Sequence, residues 1–139
     1  MSITELQCCC LTLIATGTVT QRSLVKFNGA QATVQGEKVI GVAIYDAAIG
    51  DAMSVQIDGI ALIKTGAAIT LGASLITDSQ GRAIPSTGRL AVGTGATAVT
   101  SSAANGAVLT GGDSPEFVFG DAMEAASGAG LTIQVLLRR

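Results

Sequence analysis

The chain has no histidine and no tryptophan, and aromatic residues make up 3% of its 139 positions. Lacking histidine, it lacks the commonest general acid or base at neutral pH. Charged residues are 13%, against about 25% in a typical soluble domain. The eight basic residues are scattered, with Arg138-Arg139 the one adjacent pair, and the net charge is -2. Nucleic acid is therefore not expected as a partner, because phosphate binding needs a clustered cationic field. Phe27, Tyr45, Phe117 and Phe119 are not interleaved with bases, so base stacking is not expected either. Cysteine occurs only at Cys8, Cys9 and Cys10. Neighbours on a strand alternate faces, so these thiols do not readily pair with each other, and no second cluster completes a disulfide framework or a zinc site. They read as small apolar strand residues in a reducing compartment.

Long apolar runs are missing too. Thr12, Thr16 and Thr18 break the segment after Cys8 well short of the roughly 20 residues a bilayer requires, and no membrane partner is expected. Met1 to Gln7 carries Glu5 and no base, unlike the start of a secretory signal. The expectation is a soluble protein made inside the cell. Hydrophobic residues are 48%, and so apolar a chain with so little charge needs cover over part of its surface. Self-association or docking onto a larger body supplies it; a neutral coat of Ala, Gly, Ser and Thr is the alternative.

Catalytic patterns are not displayed. Asp46, Asp51, Asp58, Asp78, Asp113, Glu116, Asp121 and Glu124 all lie in or beside turn signals, where acids bond the local backbone. Asp46 and Asp51 flank one loop without the alternating acids of a calcium loop. Gly93-Thr94-Gly95 begins like a dinucleotide fingerprint but lacks its third glycine and a strand-to-helix setting, and no Gly-Lys-Ser or Gly-Lys-Thr step exists. We assign no catalytic residue, no cofactor and no metal ligand.

What is present is β patterning. Val39 to Ile63 reads as two apolar runs joined by the loop Asp46 to Asp51, and Phe119 to Val135 echoes it, with Gly41, Ala47, Ala48 and Gln56 meeting Gly120, Ala125, Ala126 and Gln134 and one loop residue dropped. Duplication of a hairpin and chance recurrence of small residues both explain the echo. Around it, Cys8 to Val19 and Ser23 to Phe27 read as strands, Asn28-Gly29 as a tight reversal, Asp58-Gly59 as a break after the hairpin, and Leu75 to Thr77 with Arg82 to Ile84 as arms about the turn Asp78 to Gly81. Gly66 to Ala73 is the one place for a short helical turn. Phe117 and Phe119 share a strand face and suit the core. Such short strands predict a mainly β fold: a small single-domain β-barrel or sandwich with at most one or two short helical turns. The domain is 8–139, preceded by an N-terminal arm, 1–7, and interrupted at 85–115 by a Thr/Ser/Ala/Gly-rich excursion.

The order of parts resembles the capsid decoration, or cement, proteins of tailed bacteriophages. Leu11-Thr-Leu leads to Val25-Lys26-Phe27-Asn28-Gly29-Ala30, then to Ile40-Gly41-Val42-Ala43 with Asp46-Ala47-Ala48-x-Gly50-Asp51, then Val55-Gln56-Ile57-x-Gly59. Gly66-Ala67-Ala68-Ile69, Thr77-Asp78-x-x-Gly81-Arg82 and Gly120-x-Ala122-x-Glu124-Ala125-Ala126 follow. The resemblance implies a non-enzymatic, homotrimeric virion protein on the outer capsid surface, assembled in the bacterial cytoplasm. It would bridge neighbouring copies of the major capsid protein and so stabilise the head. Candidate shell or subunit contacts are Ile3, Glu5 and Leu6 of the arm and Asp46, Ile49 and Asp51 of the loop. Two other classes are a trimeric β-barrel enzyme of nucleotide-hydrolysing type, which would need phosphate-binding groups, and a fibre or adhesin module, which would need a secretion signal.

Overall fold

Alternating β-branched and apolar residues set out strands along the chain. A computed structural model describes residues 6–87, 100–101, 109–110 and 116–138. The strands are β1 (Leu6–Ile14), β2 (Leu24–Val25), β3 (Gly41–Ala43), β4 (Ala52–Lys64), β5 (Ser74–Thr77), β6 (Ala83–Pro85), β7 (Thr100–Ser101), β8 (Leu109–Thr110), β9 (Gly120–Ala122) and β10 (Thr132–Leu137). Every pairing between strands is antiparallel. The main sheet runs β2-β3-β4-β10-β9-β5-β6 with β1 joined to β4, while β7 and β8 pair apart from it. It curls until the Leu24 amide donates to the Gly81 carbonyl at 2.8 Å and Ala83 bridges Thr65, which nearly closes a barrel. The mainly β expectation holds. Asn28-Gly29 and Asp78 to Gly81 reverse the chain as read, and Pro85 ends β6. Gly66 to Ala73 forms no helix; Ile69 instead bridges Ala126. Most of the excursion, 88–99, 102–108 and 111–115, lies outside the described residues.

The echo coincides with a structural repeat that is larger than a hairpin. Val19 and Ala47 exchange two backbone hydrogen bonds at 2.9 Å, as Ile69 and Ala126 do at 2.9 and 2.8 Å. The Gly50 amide donates to Ala15 and the Gly130 amide to Thr65, both at 2.8 Å. The Arg22 amide reaches the Ala43 carbonyl as the Gly72 amide reaches that of Ala122, and Arg22 and Gly72 share a left-handed backbone, with φ of 64 and 80. Each unit is thus a strand, a bridged loop, a short hairpin, a second loop and a closing strand. The equivalences correct the alignment read from sequence: Ala47 corresponds to Ala126, Ser54 to Gln134, and the second loop is longer by one residue.

β4 belongs to both units. Its first half pairs with β1, Ile14 opposite Ala52, and its second half pairs with β10, Lys64 opposite Thr132. Asp58-Gly59, expected as a break, is instead a bulge within this 13-residue strand, where the ladder with β1 shifts register and Gly59 takes φ 88. The bulge re-aims the strand. Met53 and Val55 face a first apolar cluster with Ala15, Val19, Val25, Ala43 and Ala47. Ala61 and Ile63 face a second, larger one with Ile69, Leu75, Phe119, Ile133 and Val135. Gln56, 1% exposed, closes the irregularity: its side-chain amide donates to the carbonyls of Asp58 at 2.9 Å and Ile60 at 3.0 Å.

Gly41 and Gly120 are equivalent and are required by space. A Cβ on Gly41 would run into the Gln56 carbonyl of β4, and one on Gly120 would sit 2.6 Å from the Leu136 carbonyl of β10. Gly41→Ala should lower stability by about 1–3 kcal/mol through overpacking, seen in the urea midpoint, whereas Gly17→Ala, with nothing within 4 Å, should leave it unchanged. Gln56→Leu should cost about 1–3 kcal/mol, because two strand carbonyls at the bulge lose their buried donor.

Candidate contact surface

The loop between β3 and β4 is held by its own backbone and acids. Ile44 donates to the Ser54 carbonyl at 3.1 Å, Ala47 is clamped to Val19, and Gly50 turns at φ 88. Asp51 completes a reciprocal turn, its amide donating to the Ala48 carbonyl at 3.0 Å and its carboxylate accepting from the Ala48 amide at 3.0 Å. Asp46 accepts from the Gln21 amide at 2.7 Å, tying this loop to the one after β1. Both acids are turn formers, as their setting in the sequence predicts. Their effect is to hold Tyr45 and Ile49 outward, 65% and 73% exposed. In the second unit, Glu124 accepts from the Gln134 amide at 2.9 Å, and the Thr65 hydroxyl donates to the Gly128 carbonyl at 2.8 Å, stitching down the longer loop.

Of the residues expected at contacts, Asp46, Ile49 and Asp51 stand together on this loop. Ile3 and Glu5 lie outside the described residues. Leu6 is in β1, opposite Ile60, so the β-ladder extends into the segment read as an arm. It sits at the far end of β1 from Ile14, which adjoins the loop through Ala15, and a strand of this length separates the two by roughly 25 Å. The structure does not bring Leu6 to the loop.

Two further features escaped the sequence reading. Cys9 and Cys10 are exposed on β1, beside Leu11 at 40% exposure. Lys38 places its ammonium 5.6 Å from the Phe27 ring centre and 5.7 Å from that of Phe117, a cation held between two aromatic faces. Phe119 enters the core at 4% exposure, while Phe117 packs at its margin. No local signal announces the Lys38 pairing, since its rings come from distant parts of the chain.

Asp46, Asp51 and Asp78 are used in turns, Asp121 of β9 pairs with Arg138, and Glu116 accepts from Ser86 and Thr87. A family model described as phage cement protein matches residues 8–112. The chain belongs to the phage cement protein family. The match runs from the third residue of β1 through β8 and takes in most of the excursion. Among solved structures the chain is similar to the head fiber gp8.5 N base of bacteriophage phi29, at 20% identity and a TM-score of 0.61, over 94% of this chain and 93% of that one. At that identity the likeness is one of fold. No curated protein matches the chain. The cement protein is accordingly a phage structural protein, associated with the virion.

Asp51→Ala should cost about 0.5–1.5 kcal/mol of stability by removing one backbone-directed hydrogen bond. Asp51→Asn, which keeps an acceptor at the same place, should retain most of it, and thermal melts of the two variants should differ in that order.

Proposed function

We propose that this cement protein binds the outer surface of the phage head as a homotrimer, bridges neighbouring major capsid subunits and stabilises the shell without catalysing any reaction. The observation that carries the reading is the family match over residues 8–112. The low charge supports it, since a surface with few charges is suited to lasting contacts. A ligand that binds the mature shell and not its alternatives stabilises that shell by mass action. Three linked copies multiply weak contacts through effective concentration.

Within this reading the loop tip, Asp46, Ile49 and Asp51, and the N-terminal segment with Ile3, Glu5 and Leu6 contact the shell or a sister subunit. Ile49 is the natural apolar contact, and the two acids set the loop that presents it.

Co-sedimentation with phage heads tests the proposal: the protein should pellet with expanded heads and raise the temperature at which they open. A protein that stays in the supernatant with intact heads would sink it. Deleting residues 1–7, and separately Ile49→Asp, should each lower occupancy several-fold at subsaturating protein; full occupancy in either variant removes that segment from the contact.

A further inference from the structure

Beside the seam where Leu24 meets Gly81, the surface holds a polar concavity of about 560 Å³. Thr20 and Ser23 of the loop after β1, Gln31, Lys64 at the end of β4, and Gln80 and Arg82 of the β5–β6 turn line it. Its wall is held by its own bonds. Gln31 Oε1 accepts from the Thr20 amide at 2.9 Å and from the Thr20 hydroxyl at 3.1 Å, Gln31 Nε2 donates to the Gln80 carbonyl at 2.7 Å, and the Thr20 and Ser23 hydroxyls share a hydrogen bond at 2.6 Å. Lys64 is exposed and pairs with no acid among the described residues. Arg82 gives its Nε to Asp78 Oδ2 at 2.7 Å, which fixes the guanidinium and leaves its two terminal nitrogens as donors for another acceptor. The Asp78 side chain is 10% exposed, and no described acid lines the concavity.

We propose that this concavity binds the carboxylates of an acidic peptide segment, with Arg82 and Lys64 as its charged contacts. A guanidinium held at Nε still presents its end-on pair of N–H groups, a fork that matches both oxygens of a carboxylate. The charge is complementary, since two cations in a wall of hydroxyls and amides suit a hydrophilic anion. Phosphate suits it less. Phosphate sites draw on free backbone amides, and here the amides of Thr20, Gln80 and Arg82 are spent on Gln31 and Asp78. Two cations are also too few for the clustered field that a nucleic acid needs. The site is separate from the loop tip at Ile49, and the inference rests on neither the trimer nor shell binding.

Fluorescence anisotropy of a dye-labelled hexaglutamate peptide, titrated with the full chain, tests it, with hexaglutamine as the neutral probe. Hexaglutamate should bind, less tightly as salt rises, and hexaglutamine should not. Arg82→Lys keeps a cation for Asp78 but loses the fork, and should weaken binding about tenfold. Lys64→Gln changes only an exposed side chain and should weaken it about threefold. Lys38→Gln, outside the concavity, should leave it unchanged. A wild type that does not bind hexaglutamate overturns the proposal. So does an affinity left unchanged by Arg82→Lys or by Lys64→Gln, or a loss in Lys38→Gln as large as theirs, which is the mark of general charge attraction. Inorganic phosphate that displaces the peptide at concentrations where acetate does not would make this a phosphate site and overturn the carboxylate assignment.

Discussion

One strand has to finish one unit and begin the next, and the architecture depends on how β4 does so. A regular strand of 13 residues would present its alternate side chains to a single layer. The bulge at Asp58-Gly59 breaks that constraint, sending Met53 and Val55 to one cluster and Ala61 and Ile63 to the other. A bulge disrupts the ladder locally, and buried carbonyls left without donors are costly. Gln56 answers this from within the same strand, its amide spanning the carbonyls on either side of Gly59. The repeat is workable because a buried polar side chain holds the seam.

Sharing a strand also forces the units to differ. The back of the first lies against the core of the second, so Leu24 and Val42 are buried there at 0% and 2% exposure. The corresponding back of the second unit faces outward and carries Asp121 and Arg138 as an ion pair. Its carboxylate raises the Arg138 pKa further, chiefly through the hydrogen bond and then through charge attraction. Two units of one fold thus end with unlike backs, one aliphatic and buried, the other polar and exposed.

In the function proposed above, outward apolar side chains supply the contacts. Asp46 and Asp51 hold turns, Gly41 and Gly120 admit close strand contacts, and Ile49, Tyr45, Leu11 and Lys38 between two rings are among the outward side chains suited to contact. Nucleotide hydrolysis would need phosphate-binding groups that the sequence does not display. Specific recognition of this kind rests on shape and placement, and a rigid sheet with short tied loops supplies both.

Some of this was legible in the sequence by itself. Strand periodicity, the turn residues Asn28-Gly29 and Asp78 to Gly81, and the turn role of Asp46 and Asp51 are local properties. A few neighbouring residues determine them, and the β class and the family resemblance followed from their order. The extent of the repeat was not legible: Val19 with Ala47 and Ile69 with Ala126 are matched by backbone hydrogen bonds, which place almost no demand on side-chain identity. Nor was the continuity of β4, since Asp58-Gly59 carries the same local signal whether the chain reverses or merely bulges. Only the partner strand decides between those outcomes. Tertiary structure likewise decided which unit's back would be covered, because cover comes from residues distant in the chain.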